Sequence, residues 1–251
     1  MINDPIGLRR STYQRPITLS DQPVVMIVDD DASVRDAVQN LMLSAGMECI
    51  AFASTGELLA AKALDRPGCL VLDVRMPGSS GLDLQRHLAA TGNPKPIVFL
   101  TGYGDIPMSV EAMKGGAVDF LTKPVRDQTL LDAVIAGIDR DVAYRAKALA
   151  VRINVERLEK LTPRERQVLH EVARGRVNKQ IAFDLGISEV TVKLHRGNLM
   201  RKMQAGSIGE LIRIWEVLPA AAREMCGRSI SPAIGAAGGA GHRENYHFAS
   251  K

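Results

Sequence analysis

The chain has 251 residues, 32 Lys and Arg against 28 Asp and Glu, a formal net charge of +4, and 46% hydrophobic but only 4% aromatic residues. That is length for one large or two small domains with aliphatic cores, and no uncharged apolar run of about 18 residues offers a membrane span. Cys49, Cys69 and Cys226 have neither metal-like spacing nor the density of a disulfide framework, which fits a reducing, cytoplasmic setting.

The charge is unevenly spread. Residues 21–140 hold 10 Lys/Arg and 16 Asp/Glu, a net of −6, and residues 152–215 hold 13 and 7, a net of +6. An acidic module followed by a basic one suggests metal chemistry in the first and a polyanionic partner for the second. Residues 1–20 are polar, contain Pro5 and Pro16, and lack the apolar core of a signal peptide, so they read as a flexible leader.

From residue 21 to 140 the pattern alternates strand and helix. The first strand spans about 23–28 and ends at Asp29, Asp30 and Asp31. Val34, Val38, Leu41, Met42 and Ala45 then share one helical face, which Gly46 closes. A strand near 49–52 precedes a helix over 55–64, with Ser54 as cap and Glu57 three residues on. Strand 69–73, helix 81–90, strand 96–101, helix 106–115, strand 117–121 and helix 126–140 follow. Five β-then-α units with right-handed crossovers make a parallel, doubly wound α/β sheet covered on both faces.

Four of those strands deliver a polar residue to the carboxyl edge of the sheet, where open α/β sheets place their chemistry. They bring Asp29 with Asp30, Asp73, Thr101 and Lys123. Carboxylates at two strand ends form a hard, all-oxygen site suited to Mg²⁺. A lysine offsets their excess charge, and a hydroxyl can hold an incoming oxygen. A nucleotide loop of the form GxxxxGK[ST] is absent, so no ATP site is expected.

The motifs VDDD, LDVRMPG, TGYGD and LTKP, in this order, resemble the receiver domain of two-component response regulators. The resemblance implies a strand order of 2-1-3-4-5 and phosphoryl transfer from a sensor histidine kinase to Asp73. It also implies Mg²⁺ held by Asp29, Asp30, Asp73 and the Arg75 backbone carbonyl, with Thr101 and Lys123 on the phosphoryl oxygens. Pro124 matches a position where the peptide bond is cis. Phe120 matches a rotating aromatic that switches with Thr101, although packing within the strand also accounts for it. On this reading the face from 106 to 121 carries a homodimer formed on phosphorylation, and catalysis is limited to self-phosphorylation and slow loss of the phosphoryl group.

Residues 141–161 contain no Gly or Pro and read as a helix running out of the last receiver helix, a linker that is either a charged spacer or a short coiled coil. Thr162, Pro163 and Glu165 then cap a helix, Gly175 ends it, and a second helix from Asn178 turns at Gly186. Ser188 caps a third helix to about Met203, and a fourth spans 207–216. Ile181, Leu185, Ile187, Val192 and Leu199 hold the middle pair together as a helix-turn-helix. The stretch LTPRERQVLHEVARGRVNKQIAFDLGISEVTVKLHRGNLMRKM resembles the small all-α tetrahelical DNA-binding domain of the LuxR family. The two resemblances together cover about 23–215. Their combination is most similar to the FixJ-like group, which includes regulators of aromatic catabolism such as styrene degradation.

The expected organisation is a receiver over 21–140, a linker over 141–161, a DNA-binding domain over 162–217 and a disordered Ala/Gly/Ser-rich tail over 218–251. The third helix should enter the major groove of double-stranded DNA with Thr191, Lys193, Leu194, Gly197 and Arg201 on its exposed face. Lys179, Arg196 and Lys202 are candidate phosphate contacts. Lys193 and Leu194 match base-edge positions by resemblance, and Gly197 stands where relatives often carry a larger or charged residue. The resemblance adds RNA polymerase as a partner and activation as the output. Two other functions stay open at this point, a phosphorylation-independent architectural protein and an Mg²⁺-dependent phosphohydrolase. Against the latter, residue 75 is Arg rather than a second acid.

Overall fold

A computed structural model describes residues 22–78 and 80–227. The expected leader over 1–20 and the part of the expected tail beyond 227 lie outside them. The described chain divides between Leu149 and Ala150 into two compact units.

The first unit alternates β1 (Val24–Val28), α1 (Ala32–Ser44), β2 (Glu48–Phe52), α2 (Thr55–Ala60), β3 (Gly68–Leu72), α3 (Gly81–Ala90), β4 (Ile97–Thr101), α4 (Ile106–Lys114) and β5 (Asp119–Thr122), followed by α5 (Asp127–Glu159). All strand pairs are parallel, in the order β2-β1-β3-β4-β5. Because successive side chains of a strand point to opposite faces, the strands feed two cores. Val24, Met26, Val28, Leu70, Leu72 and Phe99 pack on one face with Leu58, Leu82 and Ala112. Val25, Ile27, Val71, Val98 and Leu100 pack on the other with Val38, Met42, Leu130 and Val134. Every residue of β1, β3 and β4 is buried, as a two-faced parallel sheet requires.

The register fixes the active edge. Val28 pairs with Leu72, and Leu72 with Phe99. Asp29 and Asp73 therefore leave adjacent strands at the same level, with the Asp73 N–H donating to Val28 O at 2.9 Å. Across the sheet Thr101 pairs with Thr122, and the Lys123 N–H donates to Thr101 O at 2.8 Å. At the opposite edge Asp141 of α5 is buried and accepts from the Gly68 N–H at 2.8 Å and from Arg145 Nε at 2.7 Å. Lys95 Nζ lies 3.7 Å away. Burial holds the Lys95 ammonium down at about 8, against the pull of Asp141.

The second unit is helical: the end of α5, then α6 (Pro163–Ala173), α7 (Asn178–Leu185), α8 (Glu189–Met203), α9 (Ile208–Val217) and α10 (Ala220–Gly227). Val168, Leu169, Ile181, Val192, Leu199, Met203 and Leu211 form its core, with Leu185 and Ile187 partly buried around it. Gly186 adopts φ +62°, the left-handed turn that lets α7 stop and α8 begin.

The last receiver helix runs on through the linker as one helix of 33 residues, since no proline interrupts Asp127–Glu159. One expectation changes. The expected disordered tail begins with a helix instead: α10 packs on α6 and buries Cys226. The composition of 218–251 hid this. Leu218, Ala222 and Cys226 recur every four residues and all join the core of the unit, a helical stripe within an otherwise small-residue segment.

Candidate functional site

At the carboxyl edge of the sheet the loop after β1 is braced first. Asp31 caps α1 by accepting from the Ser33 N–H at 2.8 Å, and its own N–H donates to Asp29 Oδ1 at 3.0 Å. Arg35 reaches back from α1 to the carbonyls of Asp29 and Asp30, at 2.7 and 2.9 Å. Asp29 is 3% exposed and Asp73 8%. One carboxylate oxygen from each of Asp29, Asp30 and Asp73 can be chosen so that all lie within 4.8 Å of one another.

One ammonium balances the group. Lys123 Nζ lies 2.5 Å from Asp29 Oδ2 and 3.4 Å from Asp73 Oδ2. It follows β5 and precedes the cis peptide Lys123–Pro124. Burial pushes the Asp29 carboxyl above its ordinary range, opposing the Lys123 and Asp31 hydrogen bonds that favour its ionised form. Three carboxylates facing one lysine leave negative charge uncompensated, and the donor set is all oxygen. Those residues fit a hard divalent cation such as Mg²⁺.

The rest of the rim follows. Thr101 is fully buried, its hydroxyl accepting from the Tyr103 N–H at 3.3 Å. The Arg75 N–H donates to Asp73 Oδ1 at 3.3 Å, while its guanidinium stacks 5.1 Å from the centre of the Tyr103 ring. Phe120 is half-buried, with its ring 6.0 Å from that of Phe99. The structure thus gathers Asp29, Asp30, Asp73 and Lys123 into one cluster. Thr101 and Arg75 flank it, and Phe120 sits one layer back.

Three members of this surround went unnoticed in the sequence: Arg35, Tyr103 and Gly81. Arg35 belongs to a common i, i+4 surface pattern, so nothing marked it. Gly81 opens α3 against the Asp73 backbone: a Cβ there would meet Asp73 O at 2.2 Å.

In the second unit the predicted DNA-facing residues divide into two sets. Lys179, Lys193, Leu194, Gly197 and Arg201 are exposed. Thr191 is half-buried and shares a 2.9 Å hydrogen bond with Ser188 at the start of α8. Arg196 donates to Asn178 Oδ1 at 2.9 Å, tying α8 to the start of α7. Lys202 Nζ lies 2.7 Å from Glu165 Oε2 of α6. The last two side chains therefore also join helices within the unit.

Comparisons with known proteins agree with both halves. Residues 25–135 match the response regulator receiver domain family, and residues 159–215 match the bacterial regulatory proteins of the luxR family. Nodulation protein W of Bradyrhizobium diazoefficiens is 51% identical over 199 residues, 79% of this chain and 88% of that protein. Response regulator protein TodT of Pseudomonas putida is 48% identical over 195 residues, 78% of this chain and 86% of that protein. Among solved structures, the response regulator StyR superposes with a TM-score of 0.68 at 48% identity, covering 78% of this chain and 98% of that one. No helix among the described residues is long and apolar enough to cross a membrane.

Proposed function

Because the chain belongs to the two-component response regulators that join a receiver domain to a LuxR-type helix-turn-helix domain, in the group of FixJ, TodT and StyR, we propose that Asp73 is its phosphoacceptor and that phosphorylation there governs DNA binding. Phospho-aspartate signalling and DNA-binding control of transcription are its function in general terms. It is not an enzyme acting on an external substrate: its chemistry is the gain and loss of its own phosphoryl group.

The observation that carries the reading is the convergence of Asp29, Asp30, Asp73 and Lys123. A carboxylate oxygen of Asp73 attacks phosphorus of a phosphohistidine on the sensor kinase. The new O–P bond forms as the P–N bond breaks, and the imidazole leaves with the electron pair. Asp29, Asp30, Asp73 and the Arg75 carbonyl would hold Mg²⁺, which supplies charge neutralisation for the transferring oxygens. Lys123 donates to one phosphoryl oxygen and the Thr101 hydroxyl to another. As Thr101 turns toward the phosphoryl group, Phe120 turns inward with it.

We assign the receiver to 21–140, the helical linker to 141–161 and the DNA-binding domain to 162–217. Phosphorylation favours a homodimer through α4 and β5, supported by the exposed Ile106, Val110 and Met113 along α4. Two linked copies on a two-fold site then bind DNA more tightly by avidity. Helix α8 enters the major groove. Lys193, Leu194 and Arg201 face base edges with Thr191 beside them, and Lys179, Arg196 and Lys202 lie toward phosphates. Likeness to the FixJ group supports activation as the output, with RNA polymerase as a further partner. Labelling tests the assignment: with acetyl phosphate and Mg²⁺ the native chain should label to near one phosphoryl group, and Asp73→Asn should not label. Stoichiometric label on the variant would refute it.

A further inference from the structure

The exposed face of α8 carries more apolar surface than a solvated helix needs. Val190 is 75% exposed and Leu194 63%. They lie four residues apart, so they stand one above the other along the helix, and Gly197, three residues beyond Leu194, continues the same line. Lys193 and Arg201, both exposed, flank it. None of the described residues buries this strip.

Gly197 is the informative member. It sits inside a helix of 15 residues, where glycine is the poorest choice short of proline. Packing does not require it: a Cβ built on Gly197 meets nothing within 4 Å, unlike the close approaches at Gly68 or Gly81. Its φ is not in the left-handed region either, since only Gly46, Gly68, Gly78, Gly92, Gly116, Gly175 and Gly186 are among the described glycines. A glycine that the fold does not need, on an exposed face, leaves room for something outside the chain. The result is a gap in the row of side chains, a notch floored by the α8 backbone, with exposed Leu194 one turn away and two exposed cations nearby.

We propose that this notch reads a thymine methyl group, making Gly197 and Leu194 the specificity-determining pair at one base pair of each half-site. The inference rests on the reading of α8 as the major-groove helix. In that groove the C5-methyl of thymine is the one apolar group among the base-edge donors and acceptors. An exposed leucine beside an empty position matches it in both character and size. Lys193 and Arg201 bring the strip to the polyanion, and the missing side chain at position 197 lets the helix approach closely.

The test uses the full-length chain, phosphorylated with acetyl phosphate. Sites are selected from a randomised duplex library, and each thymine of the enriched sequence is then replaced in turn by deoxyuridine, which removes only the methyl. The native chain should lose about fourfold in affinity at one thymine per half-site, the worth of one buried methyl group. In Gly197→Ala the added methyl fills the notch, and in Leu194→Ala the apolar neighbour one turn away is gone. Each should bind the thymine and deoxyuridine duplexes equally at that position. Both should keep the native salt dependence, because no phosphate contact is touched. Enrichment of a defined sequence with no thymine sensitive to methyl removal would overturn the inference and leave the DNA-reading function standing. So would an unchanged fourfold preference in Gly197→Ala. Failure of the native chain to enrich any sequence would overturn both.

Discussion

Asp73 depends on the space behind it as much as on the charges in front. Its carboxylate is placed by a buried strand and accepts from the Arg75 N–H, and the start of α3 closes against its carbonyl. Only glycine at position 81 permits that, since a Cβ would sit 2.2 Å from Asp73 O. Gly81→Ala should therefore shift the Asp73 backbone. Misplacement of a reacting group by about 1 Å costs on the order of a hundredfold in rate, so the initial rate of labelling by acetyl phosphate should fall at least tenfold while the far-ultraviolet circular dichroism stays native. A native labelling rate would show that the close contact does not set the nucleophile. The residues that face the site were legible because each follows a largely apolar strand run, where a polar side chain stands out. Gly81, Arg35 and Tyr103 were not, because their roles come from the starts of α1 and α3 and the loop after β4 meeting Asp29, Asp73 and Arg75 in space.

At the scale of elements, the second unit is joined by polar contacts that helix patterns do not show. Glu165 closes a capping box with Thr162, accepting from its N–H at 2.9 Å, and also binds Lys202 of α8. Burial would raise the Glu165 carboxyl, but hydrogen bonds from Lys202 and Thr162 hold it below its ordinary 4.5. A depressed acid stabilises the fold fully above its unfolded value, and that contribution goes as pH falls through the lower folded value. Glu165→Ala should cost about 1–2 kcal/mol near neutral pH, the size of a lost helix cap. In thermal melts the gap between native and variant should narrow as pH drops from about 5 to about 3. A gap independent of pH would mean that the carboxylate charge contributes nothing to the joint.

The elements themselves were read well where capping residues and periodicity coincide, as at Ser54, Thr162 and Ser188. They are hidden where small residues dominate the composition. The Ala- and Gly-rich run after 218 concealed the stripe that builds α10. Lys202 looked like a free cation because its partner, Glu165, is 37 residues away in sequence.

Across the whole molecule, the charge split divides the work. The unit with the acidic surplus gathers three carboxylates at one sheet edge, and the basic stretch supplies the helix proposed to read DNA. The fold of each half was legible because alternating strands and helices, and then capped helices alone, leave few topologies. How one half affects the other was not, since coupling is a difference between two states rather than a pattern in residues. The central claim is that the charge state of Asp73 is felt at α8. Fluorescence anisotropy with a selected duplex measures it directly, using the full chain with Mg²⁺ and with or without acetyl phosphate. The native protein should bind about tenfold tighter or more once labelled, consistent with avidity in a linked dimer, and Asp73→Asn should show no gain. Equal affinity for the labelled and unlabelled native chain, or the same gain in the variant, would contradict it.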